Sequence, residues 1–484
     1  MRSGKALWLV PVLMLALTAF ATDPSMARKL RSGNAVPTSL PAADPALQAI
    51  VWGETIRLEP PEGGIGRYPR LLHIRQGKHA GDLLLFYQSG QMGGDFGMYR
   101  SPDNGHTWSG AEIVNRATRD WNFASCNVIQ LQDGRLMMSM QRRVRGSNLA
   151  KDYYIDIRYS DDGGESWGAP EPAFQGANWE ARPFEVPHDA NGDGIPDIYL
   201  FYTQFVVPTD LSDAVASRDD DYGLSVAIIA SYDGGRSWDN LNDQRYTGRI
   251  IHRNYQEQPG LPPDAGSGGG MPTAFLLPGD RVGFVAEEIL KANSPYVVAN
   301  DPGDWDWTGP AFQGDWTDAN YDGRADNRIY PDNPANLWRV NQLEFGGAPY
   351  GVVLPDGRIA VSTNSNKRIK VWVGDENARG FVQQVPPFGT DRAFYSFIEP
   401  ISPREVLVGA GPTDETEAFI YLRRGTLQLQ KAPARGTDAF ACQPRQRLWE
   451  RAAKAARSTG PLTSEPEPHR QHGSRRSTGS HRRS

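Results

Sequence analysis

Three octapeptides decide the fold of this chain. They are Ser101-Pro-Asp-Asn-Gly-His-Thr-Trp108, Ser160-Asp-Asp-Gly-Gly-Glu-Ser-Trp167 and Ser231-Tyr-Asp-Gly-Gly-Arg-Ser-Trp238, and each fits Ser-x-Asp-x-Gly-x-(Thr/Ser)-Trp. Their spacings of 59 and 71 residues suit four short strands with their loops. The pattern therefore predicts a repeated four-stranded unit.

The residue types of the octapeptide are those of a tight turn between strands. The aspartates Asp103, Asp162 and Asp233 can accept backbone N–H groups within the turn. Glycine permits the positive φ that such a turn needs, and the tryptophan can pack the turn onto its unit. We interpret the octapeptides as structural elements, without a catalytic role.

Six units of similar pattern follow one another, and each has an apolar strand, a turn and a second strand. The units begin near Tyr68, Asn122, Trp179, Met271, Ala348 and Phe394. Second strands are predicted at 82–87, 135–140, 197–202, 281–287, 358–363 and 405–409. The sequence thus predicts an all-β fold, a six-bladed β-propeller with four-stranded antiparallel blades.

Composition agrees with many short strands joined by turns. The 484 residues include 51 Gly, 37 Pro and 13 Trp. Only two cysteines occur, which excludes a disulfide scaffold. The net charge of −6 is small for this length and gives no reason to expect a nucleic-acid partner.

The ends of the chain differ from its middle. Residues 1–21 have the basic start, apolar stretch and small-x-small ending of a signal peptide, so secretion is expected. An N-terminal extension at 22–60, the propeller at 61–431 and a disordered Arg/Ser-rich tail at 432–484 follow. No later stretch has the roughly 20 apolar residues of a membrane span, and we expect a monomer.

The octapeptide resembles the Asp-box of the sialidase superfamily, and this resemblance covers roughly residues 60–430. Met271-Pro272, followed by the strand Val282–Glu287, is similar to the exo-arabinanase branch, glycoside hydrolase family 93. The resemblance implies a secreted exo-acting glycoside hydrolase with Glu287 as one catalytic carboxylate. Glu180 or Glu185, in the strand that opens the third unit, would be the second, because inner strands converge on the propeller axis.

Further residues are candidates for contacts with a glycan substrate. Aromatic side chains stack on sugar rings and arginines bind carboxylates, which points to Trp179, Tyr202, Arg70 and Arg182.

Two rival functions remain open. An exo-sialidase would use Asp95 as acid/base, Tyr395 as nucleophile and three arginines. The arginine candidates are Arg70, Arg142, Arg143, Arg182, Arg253 and Arg368. The chain has Tyr68-Pro69-Arg70 where sialidases carry Arg-Ile-Pro. A non-catalytic carbohydrate-binding propeller is the other rival, since strand 201–204 ends without an acidic residue.

Two loops share the pattern Asp-x-Asn-x-Asp-Gly-x-x-Asp, in which oxygen ligands alternate as in calcium loops. Their candidate ligands are Asp189, Asn191, Asp193, Asp197, Asp318, Asn320, Asp322 and Asp326. We expect structural Ca²⁺ there, the alternative being a metal-free turn. No zinc spacing, phosphate-binding Gly-rich loop or Gly-x-Ser-x-Gly occurs, so no organic cofactor is expected.

Overall fold

The computed structural model describes residues 48–428, except for 62–63, 91–92, 148, 187, 206–223, 241–247, 253–268, 289–294, 301–336, 341–345, 366, 390–392 and 413–417. Within these residues the strands form six four-stranded antiparallel sheets, which we call blades. The all-β class and the four-stranded antiparallel blades are confirmed. The predicted signal peptide and the 432–484 tail lie outside the described residues.

Each of the first three blades takes four consecutive strands, from the axis outwards. Blade 1 contains β2 (Gly66–His73), β3 (Leu83–Ser89), β4 (Phe96–Ser101) and β5 (Glu112–Asn115). Blade 2 contains β6 (Trp121–Gln130), β7 (Leu136–Val144), β8 (Tyr153–Ser160) and β9 (Glu171–Gln175). Blade 3 contains β10 (Asn178–Glu185), β11 (Ile198–Phe205), β12 (Leu224–Ser231) and β13 (Arg249–His252).

The remaining blades complete the ring. Blade 4 contains β14 (Gly269–Leu276), β15 (Val282–Glu288), β16 (Tyr296–Asn300) and β17 (Leu337–Arg339). Blade 5 contains β18 (Gly347–Val353), β19 (Ile359–Ser365), β20 (Arg368–Gly374) and β21 (Val382–Gln383). Blade 6 contains β22 (Ala393–Ser402), β23 (Glu405–Pro412), β24 (Ile420–Leu427) and β1 (Ile50–Leu58). The predicted second strands match β3, β7, β11, β15, β19 and β23.

The N-terminal strand closes the ring. Strand β1 pairs antiparallel with β24, so that Ile50 lies opposite Leu427. The propeller therefore begins at Ile50 and not at residue 61, because the outermost strand of blade 6 comes from the segment predicted as an extension. Inner strand β2 contacts both β22 and β6, and each further inner strand contacts the next around the axis.

Both faces of the blades are buried, which explains why their second strands are continuous apolar runs. In β3, Leu83, Leu85 and Tyr87 pack towards blade 6, whereas Leu84 and Phe86 pack towards blade 2. An antiparallel sheet with one wet face would alternate apolar and polar residues. In the radial arrangement each blade packs between two neighbouring blades, so neither of its faces is exposed to solvent.

The three octapeptides form the same hydrogen-bonded turn. In the first, Asp103 accepts the Thr107 N–H at 2.8 Å and the Thr107 hydroxyl at 2.6 Å, while Ser101 Oγ accepts the Gly105 N–H at 2.7 Å. Asp162 and Asp233 make the equivalent bonds. The glycine at the fifth position of each octapeptide has φ between 84° and 90°; these residues are Gly105, Gly164 and Gly235. The three tryptophans pack against the apolar core, as predicted.

No helix among the described residues is long and apolar enough to cross a membrane.

Candidate active site at the propeller axis

Each inner strand carries a bulge near its start, and the first bulged residue has positive φ. The six residues, with φ between 47° and 54°, are Tyr68, Ser125, Glu180, Met271, Ala348 and Tyr395. Positive φ is uncommon outside glycine and costs on the order of 1–3 kcal/mol when strained. Such strain concentrates at functional sites, and here it recurs at one end of all six blades.

The bulges bring side chains from different blades together on the axis. Tyr68, Met271, Ala348 and Tyr395 pack into one apolar cluster, although they belong to four blades. Proline follows three of the bulged residues, at positions 69, 272 and 349. A bulge suits proline because the residue there need not donate to the ladder.

Two buried glutamates lie beside this cluster. Glu180, on the bulge of β10, is 7 % exposed, and Glu287, near the end of β15, is 6 % exposed. Thr203 lies between their blades: its hydroxyl donates to Glu180 Oε2 at 3.0 Å, and its oxygen accepts the Met271 N–H at 2.8 Å. Glu287 Oε2 accepts the Ala348 N–H at 2.7 Å. The predicted pair of Glu180 and Glu287 is thus brought together.

The environment of Glu180 favours its neutral form. Burial raises its pKa to about 7, and the neighbouring charge of Glu287 raises it as well. The hydrogen bond from Thr203 and the charges of Arg182 and Arg70 act in the opposite direction but are weaker. Since Thr203 donates to Oε2, a proton on neutral Glu180 resides on Oε1.

Two tyrosines flank the carboxyl pair. The rings of Tyr68 and Tyr395 stack with centroids 3.7 Å apart and 21° between their planes. Burial raises the pKa of Tyr395 to about 12, although a hydrogen bond with Tyr68 lowers it. The charges of Glu180 and Glu287 raise it further, which shows that this phenol belongs to the same site.

A polar layer fills the axis next to the pair, and we call it the axial layer: Arg70, Asn127, Arg182, Thr273 and Tyr350. Arg70 Nε donates to Asn127 Oδ1 at 3.1 Å, and Arg182 Nη1 donates to Thr273 Oγ1. Both guanidiniums lie over the Tyr350 ring, 5.4 Å and 4.8 Å from its centroid. These residues come from all of blades 1 to 5 and leave the axis occupied by side chains.

Comparison with known proteins agrees with this architecture. No family model matches the chain. A sialidase from Paraclostridium sordellii is 29% identical over 164 residues, which are 31% of this chain and 34% of that protein. The chain resembles the sialidase superfamily. The match spans about a third of that relative's length.

Two solved structures of low sequence identity are similar to this chain. A protein of unknown function from Dyadobacter fermentans superposes with a TM-score of 0.53 at 12% identity, over 78% of this chain and 100% of that one. An α-L-arabinanase from Penicillium chrysogenum complexed with arabinobiose gives a TM-score of 0.46 at 16% identity, over 77% of this chain and 98% of that one. The resemblance to the sialidase superfamily inferred from the octapeptides agrees with the partial sequence match to the Paraclostridium sordellii sialidase.

Of the predicted substrate-binding residues, three lie at the bulge end. Arg70 and Arg182 are in the axial layer, and Trp179 directly precedes the bulge of β10. The Trp179 ring is half-buried, and the Arg143 guanidinium lies over it at 5.0 Å. Trp179 and Arg143 are therefore placed at the rim of the site.

Three predicted site residues lie elsewhere. Glu185 is at the opposite end of β10, where its carboxylate accepts the Gln132 N–H at 3.0 Å. Tyr202 is 0 % exposed and packs in the core between blades 2 and 3, because its position on β11 faces the neighbouring blade. Asp95 accepts the Ala117 N–H at 2.8 Å and faces Arg116, in the connection before β4.

The other arginine candidates do not join the axial layer. Arg142 is paired with Asp156 and lies between the rings of Trp121 and Tyr154, each 4.2 Å away. Arg368 is exposed at the start of β20. Arg253 lies outside the described residues.

In the first predicted calcium loop, the acidic oxygens accept backbone N–H groups. Asp189 accepts from Gly192 at 2.7 Å and from Gly194 at 2.7 Å, and Asp193 accepts from Ile195. Asp197 is buried and faces His188. Across the described parts of the chain, no group of three or more His, Cys, Asp or Glu could hold a metal. The second loop, 318–326, lies outside them, and calcium stays a prediction.

Sequence reasoning missed Thr203, Tyr350 and Arg67. Arg67 directly precedes the bulge of β2, is 1 % exposed, and its charge lowers the pKa of Tyr395. The signal that could have found Arg67 and Tyr350 is the recurring proline after the bulge, at 69, 272 and 349, whereas Thr203 lies on the second strand β11 and has no such signal. The proline marks equivalent positions in three inner strands.

A cavity of about 680 Å³ lies away from the axis, on the outer side of blades 2 and 3. Phe174, Tyr232 and Trp238 line it, and neither Glu180 nor Glu287 does. Paired carboxyls, a raised pKa and backbone strain coincide only at the axis among the residues described, so the axis is the better candidate for catalysis.

Proposed function

We propose that this protein is an exo-acting glycoside hydrolase that uses Glu180 and Glu287 at the propeller axis. The observation that carries the proposal is the buried carboxyl pair in which burial and the charge of Glu287 raise the pKa of Glu180 to about 7. Glycoside hydrolysis requires one protonated and one ionised carboxyl group flanking the bond. In this proposal Glu180 supplies the protonated group, and Glu287, whose Oε2 accepts the Ala348 N–H, supplies the ionised one.

The chemistry follows from the two roles. Glu180 gives its proton to the glycosidic oxygen as the bond from that oxygen to the anomeric carbon breaks, and the leaving sugar departs as an alcohol. The Glu287 carboxylate either attacks the anomeric carbon or accepts a proton from the attacking water. Thr203 would orient Glu180 so that the proton on Oε1 is the one transferred.

The axial layer supports an exo mode of action. Because side chains from blades 1 to 5 occupy the axis next to the carboxyl pair, a polymer could not thread through the ring. A chain end entering from the bulge end would meet the pair and stop. Trp179 at the rim could stack on a sugar ring, as aromatic residues do in sugar sites.

The test is hydrolysis by the purified protein of debranched arabinan, which represents neutral glycans, and of a fluorogenic sialoside. Release of arabino-oligosaccharides that disappears in Glu287→Gln and persists in Glu185→Gln supports the carboxyl-pair mechanism. Glu185 is the matched control because it is a half-buried glutamate on the same strand as Glu180 but lies outside the pair. Binding of glycan without hydrolysis by the wild-type protein would favour a carbohydrate-binding propeller.

An exo-sialidase is the second candidate. Tyr395 lies close to both glutamates, and the charge of Arg67 lowers its pKa. The partial relative from Paraclostridium sordellii is named a sialidase. Against it, burial raises the pKa of Tyr395 to about 12, and Asp95 lies outside the cluster. Sialoside cleavage that is lost in Tyr395→Phe, with arabinan untouched, would establish this function instead.

We also propose that the protein is exported and that its two Asp-Asn-Asp loops bind structural Ca²⁺. The apolar N-terminal stretch and the loop pattern support these proposals. If calcium binds, the melting temperature rises with micromolar to millimolar Ca²⁺ and the increase is smaller in Asp193→Ala. A melting temperature that does not respond to calcium or to chelation would exclude it.

A further inference from the structure

The cavity of about 680 Å³ at the junction of blades 2 and 3 has no part in the reaction proposed for the axis. Its volume is within the range of ligand sites, which is about 300–1,000 Å³. Outer strand β9 of blade 2 contributes Phe174 and Gln175 to its lining. Blade 3 contributes Tyr232 and Trp238 of the third octapeptide and the following residue, Asp239.

This junction differs from two others in one side chain. Arg158, two residues before the second octapeptide, donates to the Val114 carbonyl oxygen of outer strand β5 at 2.6 Å and to the Trp167 carbonyl oxygen at 3.1 Å. Tyr99, two residues before the first octapeptide, donates its hydroxyl to the chain just after outer strand β1 at 2.7 Å. The equivalent residue of blade 3 is Ile229, which is buried in the apolar core and has no side-chain donor. The space between β9 and the third octapeptide is therefore left open.

The third octapeptide also differs where it meets the cavity. Its second residue is Tyr232, whereas the other two copies have Pro102 and Asp161 there. Tyr232 and Trp238 are half-buried and line the cavity, and Trp238 also packs against the apolar core. Such rings, with an apolar body and a polar tip, suit a ligand that presents both C–H and hydroxyl groups, as a sugar does.

Two amides in the lining are held in place by other parts of the blades. Gln175 Nε2 donates to the Lys151 carbonyl oxygen at 2.6 Å and to the Tyr154 hydroxyl at 3.0 Å. Asn191 Nδ2 donates to the Tyr232 carbonyl oxygen at 2.8 Å. Polar groups that are already ordered bind ligand hydroxyls at a lower entropic cost than mobile ones.

The charges of the lining favour a neutral ligand. Asp233 and Asp239 belong to the lining, and the lining residues that the structure describes include no Lys, Arg or His. Such surroundings repel carboxylates and phosphates. The Asp233 carboxylate accepts the Ser237 N–H at 2.9 Å and the Ser237 hydroxyl at 2.6 Å, so its oxygens are bonded within the turn. The described lining thus offers no pair of available carboxyl groups for hydrolysis.

We propose that this cavity is a second, non-catalytic glycan site, in which Tyr232 and Trp238 hold a neutral sugar chain. Sugar rings lie against the two aromatic side chains, and their hydroxyls bond to Gln175 and Asn191. Binding of one segment of a polymer here makes the capture of another segment by the same molecule intramolecular, which raises the effective concentration of chain ends at the axis.

The test is affinity electrophoresis of the full chain in native gels that contain debranched arabinan, xylan or galactan, three neutral polymers. We expect at least one of them to retard the wild-type protein, and the dissociation constant to rise about tenfold in Tyr232→Ser. Asp161→Ser is the matched control, because Asp161 has the same position in the second octapeptide and is exposed. It should leave the retardation unchanged. Trp238→Ala, checked for folding by its melting temperature, is the second variant and should weaken binding as well.

The cavity and the axial reaction can fail separately. Tyr232→Ser should hydrolyse short arabino-oligosaccharides at the wild-type rate, because Tyr232 lies away from the axis. Retardation that Tyr232→Ser weakens supports the second site even if the protein hydrolyses no glycan. The proposal is overturned if none of the three neutral polymers retards the protein, or if wild type and Tyr232→Ser are retarded equally. Retardation by polysialic acid that Tyr232→Ser abolishes would also overturn it, since the ligand would then be an anion.

Discussion

Strand β10 carries a glutamate at each end, and burial raises the pKa of both, but their neighbours differ. Glu180, at the bulge end, has φ of 49° and lies beside a second carboxylate and two arginines. Glu185, at the turn end, accepts a backbone N–H and lies outside the pair. The comparison teaches that residue type alone does not identify a catalytic group. If Glu180 is the catalytic acid, its position relative to the bulge is what distinguishes it from Glu185.

The same contrast extends to the three blades that carry the octapeptide. At the turn end, side chains such as Asp103 and Asp162 have their hydrogen bonds satisfied within their own loop. At the bulge end, backbone strain and buried charge accumulate around the axis. A folded chain tolerates such local violations mainly where function requires them. The turn end therefore stabilises the blades, and the bulge end holds the strained backbone and the buried charges.

The largest expected effect is on catalysis. If Glu180 is the acid, Glu180→Gln lowers kcat on a natural glycan by about 10²- to 10⁴-fold. The loss should be much smaller on an aryl glycoside, because a nitrophenolate leaving group needs little protonation. Glu287→Gln should lose activity on both substrates. Initial rates on the two substrate types measure the difference.

Glu185→Gln is the matched variant for this comparison and should retain nearly the wild-type rates. Activity of the wild-type protein should also decline as the pH rises above about 7, because the acid is then ionised. Equal losses in Glu180→Gln and Glu185→Gln would mean that the two ends of β10 do not differ in function.

The next effect is on stability, and it concerns the same side chain. The folded pKa of Glu180 is about 7 and its unperturbed value is 4.5. A carboxyl with a raised folded pKa binds more protons in the folded state, so stability falls as the pH rises between these two values. The upper bound of this loss is about 3 kcal/mol, at 1.36 kcal/mol per pKa unit.

Glu180→Gln stays neutral at every pH and should therefore be more stable than wild type at pH 8. The advantage should shrink towards pH 4, where wild-type Glu180 is also neutral. Urea unfolding of both proteins at several pH values measures it. A constant difference between the two proteins across this range would show that burial does not perturb Glu180.

The two ends also differ in how far the sequence could predict them. The turn end is local: Ser101, Asp103 and Thr107 bond to one another within seven residues, so the octapeptide alone indicates the fold. The Glu180–Glu287 pair depends on how blades 3 and 4 pack, and only a family resemblance indicated it. The structure places Tyr202 and Glu185 away from the axial cluster, which the strand pattern could not show because it does not indicate which face or which end meets the axis.

A smaller effect is expected from the turn end itself. Asp162 accepts hydrogen bonds from Ser160 and Ser166, whereas its neighbour Asp161 is exposed. Asp162→Ala should lower the free energy of unfolding by about 1 kcal/mol, since water replaces part of the lost bonding at this largely solvated site. Asp161→Ala should change it little, and neither variant should change kcat. An equal effect of both substitutions on denaturant midpoints would refute the role of the turn.

The smallest effect is the acid sensitivity of the same turns. Burial tends to raise the pKa of Asp162, but hydrogen bonds from Ser166 and Ser160 prevail and lower it to about 2, below the ordinary value of 3.8. A carboxyl with a lowered folded pKa contributes stability above its unfolded pKa and loses it as the pH falls through the folded one. Between pH 4 and about 2, wild type should therefore lose more of its free energy of unfolding than Asp162→Ala. Glu180 is neutral in this interval and adds no pH dependence of its own. Parallel stability curves for the two proteins there would mean that solvent, and not the turn, determines the ionisation of Asp162.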